Sequence, residues 1–307
     1  MLAIVGGAVA ALAWGTATLC ASRAAGVLGS RVLLGWVMLI GLIASLPIMA
    51  AEPLPPLDAE AWVLLAIAGF GNVLGLLLAY TAFSTGKVSI AAPITSTEGA
   101  GAALIAILLG EAVGVPVLLA LGIAAAGVVL VSWERPTQVA DSLPPVPVGD
   151  PALVASAEVA GTVTERSDTR RTAILAISAA ALFAAGLYAA GRIGAELGLG
   201  LTVLPSRLVG VAFVTIPLLL RRQLRITRGT LPLVITMGLL EVVGVIGIAF
   251  GARDAIAITA VISSQFAAVA VIGAYLLFGE RLQRHQVGGI ALIGVGVAGV
   301  ALLRALA

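Results

Sequence analysis

The chain has 307 residues, 61% of them hydrophobic and 10% charged, with a formal net charge of +2 and a mean hydropathy of +1.16. Soluble domains carry about 25% charged residues, so this composition leaves no polar face to show water and excludes the soluble globular classes. One cysteine (Cys20) and one histidine (His285) exclude a disulfide framework and a Cys/His metal site, and the scattered basic residues and sparse aromatics give nucleic acid no footprint.

Apolar runs of about 20 residues recur along the chain, the length a helix needs to cross roughly 30 Å of hydrocarbon. The runs are continuous rather than alternating, which selects helices over a transmembrane barrel. In chain order the predicted spans are 2–22, 32–50, 61–83, 88–109 and 115–132, then 172–191, 201–220, 230–251, 255–278 and 286–303. The first lacks a basic n-region, and its apolar stretch outruns an ordinary signal sequence, so it reads as a retained helix. Between the two sets lies a polar stretch from Trp133 to Arg171 that contains Pro144, Pro145, Pro147, Pro151, Glu158 and Glu165. Its low apolar content predicts a flexible linker. The predicted organisation is therefore a first five-helix unit over 1–132, a linker over 133–171 and a second five-helix unit over 172–307.

The two units echo each other. A shift of 169 residues places Arg23 on Arg192, Gly69 on Gly238, Asn72 on Glu241, Gly75 on Gly244, and Gly110-Glu111 on Gly279-Glu280. Five is odd, so a duplicated five-span unit inserts with its second copy upside down. The predicted fold class is an all-α integral membrane protein with ten transmembrane helices arranged as two inverted five-helix repeats, whose interface is the expected place for a binding site.

Several short motifs fall in a recognisable order. Ala13-Trp14-Gly15 lies in span one, Arg31 opens span two, and Val88-Ser89-Ile90-Ala91-Ala92-Pro93 leads into span four, which Leu109-Gly110-Glu111 closes. The second half repeats this with Ala257–Ala260 and Phe278-Gly279-Glu280-Arg281. In this order and spacing the chain resembles the drug/metabolite transporter superfamily, in its EamA-like ten-helix branch, over nearly all its length except the linker. One departure is Ile262, which stands where Pro93 has its repeat counterpart. The resemblance implies a multi-pass secondary transporter of the cell inner (cytoplasmic) membrane that exports or exchanges amino acids and other small metabolites.

Orientation follows from charge. With ten spans, the connections after the odd-numbered spans hold 13 Lys and Arg against 3 on the other side. The positive-inside rule then puts both termini outside the cytoplasm. The resemblance implies the opposite, and the count is given precedence.

Ionisable groups at mid-span are expensive in lipid, about 2.5–3.5 kcal/mol even on lenient insertion scales, so they are the first candidates for function. Glu98 in span four, Glu241 in span eight and Arg207 in span seven are such groups. Lining an aqueous cavity, a carboxylate there can load and release a proton, and Arg207 can hold a substrate carboxylate bidentately. In the structural alternative a Glu pairs with Arg207, or the Arg snorkels to the interface. A second tier comprises Asn72, Thr95, Ser96, Ser264 and Gln265, with Trp14, Tyr80 and Tyr188 as aromatic walls. Ser96 and Gln265 are repeat equivalents. For these the alternative is helix–helix hydrogen bonding, worth about 0.6 kcal/mol on average. The expected cavity draws on spans 1, 3, 4, 6, 8 and 9. Glu111 and Glu280, at span ends, read as structural caps.

No enzyme signature is present: there is no His-Glu-x-x-His, no Gly-x-Ser-x-Gly and no Walker loop, and every Asp falls in a loop. No cofactor and no metal are expected. The expected partners are a small-molecule substrate, the lipid bilayer and protons, in a monomer or homodimer. The competing readings are a membrane receptor or scaffold, and an uncoupled facilitator.

Overall fold

The computed structural model describes residues 1–85, 94–132, 151–278 and 283–306, and all regular structure among them is helical. The helices are α1 (Leu2–Leu28), α2 (Ser30–Ala51), α3 (Ala59–Thr85), α4 (Glu98–Leu108), α5 (Val115–Ser132) and α6 (Pro151–Glu196). They continue as α7 (Leu199–Gly210), a π-helical turn (Val211–Thr215), α8 (Ile216–Leu220), α9 (Leu231–Ala252), α10 (Ile256–Ser263), α11 (Phe266–Phe278) and α12 (Arg284–Leu306). Eight stretches are long and apolar enough to cross a membrane, and α4 and α5 are shorter apolar helices at the fourth and fifth predicted positions. Predicted span four begins at residue 88, so its first turns lie outside the described residues.

The predicted linker is partly outside the described residues as well. From Pro151 onward the backbone is helical and runs unbroken into span six. Proline at the first helical position fits, because its missing N–H would have had no intrahelical acceptor.

Helix pairing rests on small residues, since lipid gives helices no hydrophobic reason to associate and close van der Waals approach must do the work. α1 and α9 meet backbone to backbone: a methyl group on Gly247 would sit 2.7 Å from the Gly6 carbonyl oxygen and 3.1 Å from the Ala10 nitrogen. α3 meets α6 in the same way, with Gly71 against the Leu182 carbonyl and Gly186. α5 and α12 form the third close pair through Gly127 with Gly289 and Gly296 with Ala120. Gly71-xxx-Gly75 and Gly247-xxx-Gly251 have the small-xxx-small spacing that lets helices approach closely, and both are used as helix contacts. Gly198 serves differently: at φ +103° it turns the chain between α6 and α7, a conformation other residues reach only with strain.

Two spans are interrupted. Span nine breaks at Ser264-Gln265, between α10 and α11, and a turn at Ser96-Thr97 precedes α4. The two turns bond alike, Thr97 N–H to the Ile94 carbonyl and Gln265 N–H to the Ile262 carbonyl, at 3.1 Å each. Gly99 lets the interrupted spans cross, since a methyl group there would press into Ser264. Span seven carries the π turn immediately before Pro217. In an α-helix the proline ring would clash with the carbonyl four residues back, at Phe213, and the wider turn relieves that contact.

The helix ends on the side of Leu2 and Leu306, here the terminal face, are tied together across the bundle. Glu52 at the end of α2 accepts hydrogen bonds from the N–H groups of Leu199 (3.3 Å) and Gly200 (2.8 Å) at the start of α7. Glu111 after α4 accepts from Ile256 (3.0 Å) and Ala257 (3.1 Å) at the start of α10. Arg192 of α6 bridges Glu60 of α3 at 3.4 Å and Glu196 at 2.8 Å. Asp254 accepts from Ala3 N–H at 3.2 Å. Each carboxylate sits at a helix N-terminus or beside a cation, where its charge is favoured. On the opposite, basic face Trp36 Nε1 donates to the Arg225 carbonyl at 3.2 Å.

Candidate functional site

Six spans surround a partly open cavity of about 70 Å³. Its wall is formed by Trp14 of α1, Ala68 and Asn72 of α3, Glu98 of α4, Phe183, Gly186, Leu187 and Ala190 of α6, Thr202 and Ser206 of α7, and Val245 and Ile248 of α9. At roughly 15 Å³ of such space per water, the volume suits a few waters or a small polar group.

The sequence-predicted Trp14, Asn72 and Glu98 are brought together here. Span seven contributes to the wall where span nine was expected. Glu98 is the first residue of α4, half-buried, and makes no hydrogen bond or ion pair among the described residues. It lies within Coulombic reach of Glu241. Asn72 Oδ1 and Trp14 Nε1 are buried and have no hydrogen-bond partner among the described residues. Orphaned polar atoms of this kind are uncommon in folded proteins and need an explanation.

Arg207 and Glu241 are coupled to each other. Nη2 of Arg207 stands 3.4 Å from Glu241 Oε2, with the guanidinium 1% exposed and the carboxylate 27% exposed. Nη1 approaches Met38 Sδ at 3.5 Å, and Gly41 leaves room for the side chain, since a methyl group there would lie 3.0 Å from Arg207 Cδ. Two of the guanidinium nitrogens are thus used within the bundle, Nε is buried without a partner among the described residues, and Arg207 is not among the residues of the cavity wall.

The remaining predicted residues sit at the two interruptions or in the core. Ser96 is buried and Thr95 half-buried at the turn before α4. Ser264 Oγ donates to the Val261 carbonyl at 2.8 Å, and Gln265 Nε2 donates to the same oxygen at 2.6 Å. Gln265 Oε1 is buried without a partner among the described residues. Tyr188 is buried in the apolar cluster that α6 forms with α4 and α10. The side chain of Tyr80 lies outside the described residues, as does Glu280.

Phe183, Thr202 and Ser206 were not picked out by sequence reasoning. Phe183 had a signal, because it stands 169 positions after Trp14. The two aromatic rings sit in matching seats: Trp14 lies over Gly244 of α9 and Phe183 over Gly75 of α3, each on a glycine where a methyl carbon would come within 2.8 Å of the ring. Thr202 and Ser206 look like ordinary helix hydroxyls, and only the packing of α7 turns them inward.

The seats make a testable contrast. Gly244→Ala is expected to displace the Trp14 ring and to lower stability by about 1–3 kcal/mol, the usual effect of overpacking. Gly122→Ala in α5, where a methyl group meets nothing within 4 Å, is expected to change stability by no more than about 0.5 kcal/mol. Thermal unfolding of the two variants in detergent measures the difference.

Comparison with known proteins agrees with this architecture. Residues 1–133 match the EamA-like transporter family. That segment is therefore EamA-like, in keeping with the drug/metabolite transporter superfamily, whose EamA members are transporters and not enzymes. Among solved structures 28 chains match. One, described only as a crystal structure of protein, aligns over 99% of this chain and 98% of its own with a TM-score of 0.75 and 15% identity. At that identity the likeness concerns the fold. No curated protein matches the chain.

Proposed function

We propose that the chain is a secondary transporter of small metabolites such as amino acids, working by alternating access around the cavity between α1, α3, α4, α6, α7 and α9. The observation that carries the proposal is Glu98: a carboxylate at mid-membrane, without a protein partner among the described residues, on the wall of a cavity that also holds unsatisfied Asn72. A carboxylate in such a place persists when water, a proton or a substrate reaches it. Trp14, Asn72, Glu98, Phe183, Thr202 and Ser206 are the proposed substrate contacts. Arg207 and Glu241 pair α7 with α9 beside the cavity, and Thr95, Ser96, Ser264 and Gln265 form the interruptions about which spans four and nine bend.

The proposed architecture has ten transmembrane helices in two inverted five-helix repeats, 1–132 and 172–307, joined by the linker 133–171. The paired ring-on-glycine seats, the like-bonded turns at Thr97 and Gln265, one residue out of the 169 register, and the Met38–Arg207 contact across 169 positions support it. The basic face is placed in the cytoplasm, both termini outside, and the membrane is the inner (cytoplasmic) one.

Coupling to protons is part of the proposal. Among the described residues of α5, α10 and α11, which pack near α4, no charged side chain faces Glu98. Arg192 of α6 is held at the terminal face by Glu60 and Glu196. Glu241 of α9 is the charged neighbour. Proteoliposomes of the purified chain, given an imposed pH gradient and radiolabelled amino acids, test the proposal. Accumulation that collapses with the gradient is the expected result. Flux that only equilibrates would mean an uncoupled facilitator, and no flux of any metabolite tried would favour a receptor or scaffold.

A further inference from the structure

Chemical class is legible in which hydrogen-bonding groups face the cavity. We propose that its ligand is a small monocation, an organic molecule carrying one ammonium group, and that a carboxylate on the ligand is not required. The proposal rests on the transporter reading of the same cavity and narrows its substrate.

The first argument is charge. Glu98 is the one formally charged side chain on the described wall, and Lys, Arg and His are absent from it. With Glu241 in Coulombic reach and one guanidinium already paired to Glu241, the three ionised groups leave one negative charge uncompensated. A single positive charge, brought by a proton or by a ligand, neutralises it. The guanidinium that a substrate carboxylate would need is 1% exposed, turns its two terminal nitrogens to Glu241 and Met38 and is not on the cavity wall.

The second argument is hydrogen-bond polarity. Thr202 donates its hydroxyl hydrogen to the Gly198 carbonyl at 2.7 Å, and Ser206 points its own at the Val203 carbonyl at 3.5 Å. With their hydrogens used within the helix, both oxygens retain lone pairs for the cavity. Asn72 Oδ1 adds an acceptor without a partner, and Glu98 two more. Of the two side-chain donor groups on this wall that an anion would want, Trp14 Nε1 is turned onto Gly244, which leaves the Asn72 amide NH2. An ammonium group has three donors and no acceptor, whereas a carboxylate has acceptors alone, so this wall complements the ammonium. The Trp14 and Phe183 rings add faces on which a cation is attracted, and Ala68, Leu187 and Val245 leave space for a short hydrocarbon body.

Three molecules sharing one carbon skeleton separate the possibilities: leucine, isopentylamine (leucine without its carboxylate) and 4-methylpentanoate (leucine without its ammonium). Binding to the purified full chain is read by thermal shift and by competition in proteoliposomes. Isopentylamine is expected to bind at least as tightly as leucine, and 4-methylpentanoate not to bind. Glu98→Gln is expected to weaken isopentylamine about tenfold or more, and Glu98→Asp, which keeps the charge, to weaken it less. Thr202→Val, which removes an acceptor without touching the charge, is expected to weaken it severalfold. The proposal is overturned if 4-methylpentanoate binds as well as isopentylamine, if isopentylamine gives no shift, or if folded Glu98→Gln binds it unchanged. Leucine flux that isopentylamine fails to inhibit would overturn this class assignment and leave the transporter reading standing. Amine binding without flux of any substrate would do the reverse.

Discussion

Glu98→Gln is expected to yield a protein at least as stable as the parent that no longer accumulates substrate against a gradient, whereas Glu241→Gln is expected to unfold at distinctly lower temperature. The two carboxylates sit in one neighbourhood with different obligations. Glu98 has no cationic partner among the described residues, so a neutral isostere removes a charge from low-dielectric surroundings and breaks nothing. Glu241 holds Arg207, whose guanidinium is 1% exposed, and removing one member of a buried pair strands the other. Such losses run to about 3–5 kcal/mol when both partners are buried. Glu241 is 27% exposed, so the pair is not fully buried and the expected loss here is about 1–3 kcal/mol. The double variant Glu241→Gln/Arg207→Met is expected to recover most of it, because an apolar side chain then meets Met38 and no charge is left unpaired. Thermal unfolding of the parent, Glu241→Gln, Arg207→Met and the double variant closes the cycle, with Glu98→Gln measured beside them. A Glu98→Gln protein as destabilised as Glu241→Gln would show that Glu98 is a structural group.

The second expectation concerns the terminal face. Glu52 and Glu111 each receive two backbone N–H bonds from the first turn of a distant helix. Caps of this kind contribute about 1 kcal/mol each, with a further contribution of about 0.3–1 kcal/mol from the helix dipole. If the proposed alternating-access cycle opens this face by parting α2 from α7 and α4 from α10, those bonds are lost on opening. Glu52→Ala and Glu111→Ala are therefore expected to move the population toward a terminal-open state by about tenfold each, since roughly 1.4 kcal/mol is one decade in an equilibrium. Cys20 is the sole cysteine, so Cys20→Ser supplies a background for a single reporter such as Ser206→Cys. Labelling of that reporter by a membrane-impermeant thiol reagent from the terminal side is expected to accelerate in both variants. Equal labelling rates with and without the caps would refute the latch.

Much of the bundle was legible in the sequence because lipid imposes a simple demand: about 20 apolar residues per crossing, with polar interruptions conspicuous. Glu98 and Asn72 were legible for the same reason, Trp14 through the Ala13-Trp14-Gly15 motif, and so was the alternative in which Arg207 pairs with a glutamate. What the sequence hid depends on rotation about helix axes. Thr202 and Ser206 differ in no local way from residues that face lipid, Phe183 is marked only by its repeat partner Trp14, and an apolar helix has too weak a moment to say which side is inward. The break at Ser264-Gln265 was hidden because it contains neither proline nor glycine. Proline does mark the π turn, but the chain bends it only where Thr215 Oγ1 donates to the Gly35 carbonyl at 2.8 Å, a contact between spans two and seven.

The glycine seams have a consequence for modularity. Residues 1–133 carry the family signature, yet they are not a packing unit: α1 seats on α9, α3 on α6 and α5 on α12, so each finds its closest neighbour beyond position 133. A fragment ending there would enter the bilayer as loose helices with their glycine faces bare. Sequence inheritance and physical cohesion divide this molecule along different lines, and a lone module of this type needs a complementary set of helices before it can enclose anything.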